Sequence, residues 1–112
     1  MIEKTILDYL LDNDLNAYLE RPEKKPSGEY VIVEKTGSIS SNLLTTSTIA
    51  VQSYSNSLYG AASLNEQVKS LMLQADHEIP ISSCSLNTDN NFTDTATKQY
   101  RYQAVFEVTH KE

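Results

Sequence analysis

Only one of the 112 residues is a cysteine, Cys84, so no disulfide can form within the chain and a reducing compartment is the expected setting. Tryptophan is absent, and there are three glycines and three prolines. Glycine this sparse leaves no P-loop, no dinucleotide-binding turn and no nucleophile elbow. Basic residues number 9 against 15 acidic ones, for a formal net charge of −6. The one local basic cluster, Lys24-Lys25, has Glu23 beside it. A phosphate-gripping patch needs clustered Lys and Arg, so direct, sequence-specific nucleic-acid binding is not expected. No apolar run approaches the roughly 20 residues that span a bilayer. Charges enter at once in Met1-Ile2-Glu3-Lys4-Thr5, which reads as no secretory signal, and a membrane partner is not expected.

What is present suits one compact domain over residues 1–112, with 39% apolar and 21% charged residues. Ile2, Ile6, Tyr9 and Leu10 fall at helical spacing and predict an amphipathic helix over 2–12, with Asn13-Asp14 as its stop. Residues 16–20 read as a short strand, and Arg21 to Gly28 as a polar loop. Tyr30-Val31-Ile32-Val33 is a β-branched apolar run, which predicts a strand over 29–35 buried on both faces. The small polar stretch Thr36–Asn42 reads as a loop leading into a long strand over 43–54. Leu58, Ala61, Ala62, Leu64, Val68, Leu71, Met72 and Ala75 mark the core-facing stripe of a second helix over 57–76, capped by Ser55, Asn56 or Ser57. Gly60 inside that helix suggests a close approach of a strand or a neighbouring chain. A strand over 81–87, a polar loop over 88–97 and a cleanly alternating strand over 98–110 complete the chain. The order predicts an α+β fold: a single largely antiparallel sheet of four to five strands with two helices on one face.

Reactive groups do not converge on a catalytic pattern. His77 and His110 stand at opposite element ends with no serine or cysteine motif beside them. Cys84, between two serines in a strand, reads as a structural thiol. Asp89, Asn91 and Thr93 alternate like the start of a calcium loop, but the sixth position is Asp94 rather than Gly and the twelfth is Tyr100 rather than Glu. No enzyme activity, no metal and no cofactor are expected. The residues by themselves suit an interaction module, a single open sheet with bare edges and two projecting hairpin loops at 36–43 and 88–97.

Several segments resemble a known family. They are Glu34-Lys35-Thr36-Gly37, Thr48-Ile49-Ala50-Val51-Gln52-Ser53-Tyr54, Ser57-Leu58-Tyr59, Ala61-Ala62, Leu64-Asn65-Glu66, and the ending Asn91-Phe92-Thr93-Asp94-Thr95 with Tyr100-Arg101-Tyr102-Gln103-Ala104-Val105-Phe106. Together they are similar to the tail terminator, or tail completion, proteins of long-tailed phages and prophages, encoded in the head–tail joining region. The resemblance covers nearly the whole chain and implies a structural protein of the virion neck, made in the host cytoplasm. It implies a self-assembled ring, usually hexameric, that caps the major tail tube protein, stops tube growth and meets the head-closure protein. No catalytic residue is carried over. Within such a ring the contact residues expected are Ile39, Asn42 and Leu43 in the first hairpin loop, and Asn91 and Phe92 in the second. Two other functions compete: a head-closure or connector subunit of the neck, and a small regulatory protein that binds a host protein.

Overall fold

The computed structural model describes residues 1–111. Helix α1 spans Ile2–Asp12 and turns its buried stripe of Ile2, Ile6, Tyr9 and Leu10 to the core. It ends where Asp14 takes a left-handed conformation (φ 66°) and the Leu15 amide closes back on the Leu10 carbonyl at 3.1 Å. That is a Schellman-type stop, and it drops the apolar Leu15 into the core behind the helix. Strand β1 (Ala17–Tyr18) is followed by β2 (Tyr30–Ser41), β3 (Leu44–Ser55), α2 (Leu58–Leu73), a 3-10 turn (Ala75–His77), β4 (Ser83–Asn91) and β5 (Tyr100–Lys111). The five strands form one sheet in the order β1-β2-β3-β5-β4, with only β1 and β2 parallel. The fold is therefore α+β, a mostly antiparallel sheet with both helices on one side.

Cross-strand register explains the two faces. Val33, Val51 and Ala104 lie side by side, and so do Lys35, Ile49 and Phe106. Side chains two residues apart share a face, so Val31, Val33, Ile49, Val51, Ala104, Phe106 and Val108 all point one way. They join Ile6 and Leu10 of α1 and Leu64, Val68 and Met72 of α2 in one buried cluster. Tyr9 pins the helices together, its hydroxyl donating to the Leu71 carbonyl of α2 at 2.7 Å. Burial raises the pKa of that phenol above its ordinary value. Asp89 holds β4 under α2 by accepting from Asn65 Nδ2 at 2.7 Å and from Lys69 Nζ at 2.6 Å.

Element order, both helices and the apolar centre of each strand follow the sequence reading, but several boundaries do not. Residues 36–41 are not a loop. They continue β2 to Ser41, so the first hairpin closes through Asn42 and Leu43 alone. Residues 88–91 likewise extend β4, leaving 92–99 as the second loop. Strand β4 starts at Ser83, not Ile81, although Ile81 is buried just before it. Helix α2 gives way to the 3-10 turn after Leu73. Among the candidate caps it is Ser57 that accepts from the Gly60 amide, at 2.9 Å. The reason for glycine at position 60 is local: a Cβ there would meet Ser55 Oγ at the end of β3.

The polar strand extensions hold without apolar alternation because pairing satisfies their backbone and side chains. Ser40 bonds Thr45 at 2.8 Å, Thr46 bonds Thr109 at 3.1 Å, and Thr48 donates to the Glu107 carboxylate at 3.1 Å. Two register shifts, between Lys35 and Gly37 in β2 and between Leu86 and Thr88 in β4, lie on either side of that row. Such bulges sharpen the local twist of a strand pair.

Candidate functional site

The two segments expected to carry contacts lie at opposite ends of the molecule. Leu44 pairs with Lys111 at one end of β3, and Ser55 pairs with Tyr100 at the other. At about 3.3 Å per residue, the length of β3 separates the two ends by roughly 40 Å. The longest dimension of the molecule is 46 Å. Ile39, Asn42 and Leu43 stand at one end and Asn91 and Phe92 at the other, so the structure keeps each group together and the two groups apart.

The first end is aliphatic. Asn42 and Leu43 both have positive φ, 52° and 71°. Two successive left-handed residues make the mirror-image turn that matches the twist of a two-residue hairpin. Asparagine tolerates this conformation; for a leucine it costs about 1–2 kcal/mol. Leu43 keeps that conformation while 83% exposed, and Ile39 is 77% exposed. Ile39 pairs with Thr46, and Leu44 lies two residues from Thr46 on the same strand, so both side chains belong to the helix-free face of the sheet. The result is a strained turn carrying three uncovered aliphatic side chains.

The second end is aromatic and cationic. Tyr30, Tyr54 and Arg101 are direct neighbours across β2, β3 and β5 on the helix-free face. The Tyr30 and Tyr54 rings stack at 4.8 Å with a 6° interplanar angle, and Tyr18 meets Tyr30 edge-on at 6.1 Å. With Ile32 these rings form a second, smaller buried cluster. Burial, and then the neighbouring Tyr54, push the Tyr30 phenol above its usual pKa. The Arg101 guanidinium lies 5.8 Å from the ring centre of Tyr54 and 5.8 Å from that of Phe92. Phe92 is thus held by Arg101 and remains 45% exposed. The Arg21 guanidinium, from the loop after β1, lies 5.7 Å from the centre of the Tyr54 ring.

Side-chain caps order the 92–99 loop. The Asn91 side chain accepts from the Thr93 amide at 3.0 Å. Asp94 Oδ1 accepts from the Ala96 and Thr97 amides at 3.0 and 3.3 Å, and the hydrogen bonds from Thr97 hold its carboxyl below the ordinary carboxylate range. Asp89, Asn91 and Thr93 thus each accept hydrogen bonds from within the fold, Thr93 Oγ1 from the Arg101 amide at 3.1 Å. Among the described residues no group of three or more His, Cys, Asp or Glu side chains is placed to hold a metal ion.

Of the remaining reactive side chains, His110 is tied into the fold and Cys84 is partly buried. His110 Nε2 lies 2.9 Å from the buried Ser47 hydroxyl, and its Nδ1 lies 3.0 Å from the Lys111 carbonyl. His77 is exposed on the 3-10 turn. Burial pushes the Cys84 thiol up to about 11, which leaves it a poor nucleophile at neutral pH. No helix among the described residues is long and apolar enough to cross a membrane.

The sequence reading missed Arg21, Tyr54 and Arg101 as a group. Arg101 sits among alternating aromatics at 100 and 102, but nothing local shows that its partners are 47 and 80 residues earlier. Compared with protein-family models and with curated protein sequences, the chain matches none.

Proposed function

We propose that this chain is the subunit of a ring that caps the tail tube of a long-tailed phage, ends its polymerisation and joins the tail to the head. The observation that carries this reading is two-sidedness: exposed contact groups of different chemistry at the two ends of one elongated subunit. A terminator needs such an axis, because one ring face binds the last tube ring and the other must refuse a further one and accept the head. The resemblance over nearly the whole chain supplies the family, and the sheet with helices on one side agrees with it.

The subunits close into a ring, usually a hexamer in this family, through heterologous contacts between different surfaces of neighbouring copies. Two bare sheet borders are available. Strand β1 covers only Val31 and Ile32 of β2, leaving the rest of that border without a strand among the described residues, and β4 is the opposite edge. Ile39, Asn42 and Leu43 serve one axial partner, and Asn91 and Phe92 the other, the partners being the major tail tube protein and the head-closure protein. The work is done by shape and stacking, with no cofactor and no covalent chemistry, in the neck of the virion.

Electron microscopy of particles lacking the gene tests the reading. Overlong or unjoined tails are expected. Leaking heads with normal tails would assign the chain to head closure instead, and attached tails of normal length would end the proposal. Native mass spectrometry of the chain with tail tube protein should show rings bound to tube ends. A stable monomer without affinity for the tube would favour a small regulator of a host protein.

A further inference from the structure

The two arginines of the aromatic end share an acceptor that cannot satisfy them. Arg21 Nη2 and Arg101 Nη1 both donate to the Tyr54 hydroxyl, at 3.3 and 3.2 Å. That hydroxyl in turn donates to Gln52 Oε1 at 2.9 Å. A phenol has one proton and two acceptor positions, so Tyr54 is fully used. Each guanidinium carries five N–H donors and has given one to Tyr54. Arg101 Nε is buried without a partner. Among the described residues no carboxylate lies within ion-pair distance of either arginine, although the chain has 15 acidic residues. Arg21, Arg101, Tyr54 and Gln52 line an open depression of about 320 Å³ on the helix-free face, floored by Ile32.

Two like charges brought to one neutral oxygen repel each other unless an anion joins them. A planar carboxylate suits the vacant edges of two guanidinium forks, which it can accept pairwise. We propose that Arg21 and Arg101 form the seat for a carboxylate side chain from a second copy of this chain. The occupant is argued from charge. A second copy, with 15 acidic against 9 basic residues, offers carboxylates in excess, and this arginine pair, beside Tyr54 and Phe92, has the composition of an interface anchor. Glu20 and Glu34 also line the depression, so an entering carboxylate meets some repulsion, but a run of phosphates meets more, and a nucleic-acid backbone fits less well. The proposal deepens the ring reading and rests on it for the identity of the occupant.

The test is sedimentation of the wild-type chain and of Arg21→Gln/Arg101→Gln at low and high salt, without tube protein, with circular dichroism to verify folding. Wild type should self-associate, salt should weaken it, and the double variant should associate at least about tenfold more weakly, the effect of truncating one side of a paired charge. Arg21→Gln alone, on an exposed loop, serves if the double variant does not fold, and should show the same direction. Arg21→Lys/Arg101→Lys keeps the charge but loses the fork, and should fall between the two. Equal association of wild type and folded variants overturns the proposal, as does a wild-type chain that remains monomeric. Arginine-dependent binding of a single-stranded oligonucleotide in place of self-association also overturns it. Tube capping is measured separately. Variants that cap as well as wild type refute the carboxylate seat and leave the capping reading intact. Arginine-dependent association by a chain that never caps a tube does the reverse.

Discussion

The two ends of this molecule use the same sheet in opposite ways. At the hairpin end, Ile39 and Leu43 are largely exposed, and the turn that presents them is strained. At the aromatic end, Phe92 is exposed too, yet it belongs to a chain of contacts through Arg101 to Tyr54 and Tyr30. Exposure alone therefore does not mark a free surface. One end exposes aliphatic side chains that the core does not use, and the other exposes a ring that is also part of the framework.

The largest expected contrast comes from Tyr54→Ala. It removes a buried ring from the Tyr30 stack and strips two arginines of their shared acceptor, so it should cost about 3–5 kcal/mol in denaturant unfolding. A loss below about 1 kcal/mol would erase the difference between the ends.

Leu43→Gly acts at the other end and with the opposite sign. Glycine relieves the left-handed strain but adds freedom to the unfolded chain, for a net gain of about 0.5–1 kcal/mol. Under the proposed capping role, the same variant should also weaken binding to tube ends, because the aliphatic tip is gone. A variant that is both more stable and fully active would show that Leu43 makes no contact.

Alkaline titration sharpens the contrast further. The folded-state pKa of Tyr30 is raised, chiefly by burial, so its stabilising effect is complete below the unfolded value near 10. It is lost as pH climbs from there through the folded value, because the unfolded chain releases its proton first. Tyr9 and Cys84 titrate in the same sense. Tyr30→Phe should therefore flatten the fall in stability above about pH 10, measured as denaturation midpoint against pH. Substitutions at Asn42 or Leu43 should leave that slope unchanged.

The smallest stability effect belongs to Ile39→Asp/Leu43→Asp, expected within about 0.5 kcal/mol of wild type because both positions are solvated. Its readout is tail length in electron micrographs. Overlong tails with an unaltered melting point would place the contact at the tip, and normal tails would remove it.

How far the sequence could be followed depended on what makes each segment a strand. Tyr30–Val33 and Ile49–Val51 are strands by composition, because branched apolar side chains need burial on a pleated surface. Thr36–Ser41 and Thr88–Asn91 have no such signal. They are strands because neighbours satisfy them, through Ser40 with Thr45 and through Asp89 with Asn65 and Lys69. The short turn was hidden for a related reason: Asn-Leu lacks the glycine that usually marks a two-residue hairpin. Of the candidate contacts, the exposed aliphatics of the first hairpin were legible as apolar residues in a polar stretch. The arginine pair was not, since its members are 80 residues apart.

The amino-acid sequence on its own determined the order of the elements and the face each one buries, because period and side-chain branching are local properties of the chain. Register was left to the tertiary structure. Only the pairing of β2, β3 and β5 aligns Tyr30, Tyr54 and Arg101, and only the loop after β1 brings Arg21 to them. A shift of one residue would turn every side chain in that row to the other face, so the cluster of Tyr30, Tyr54 and Arg101 exists solely as a consequence of how distant strands align.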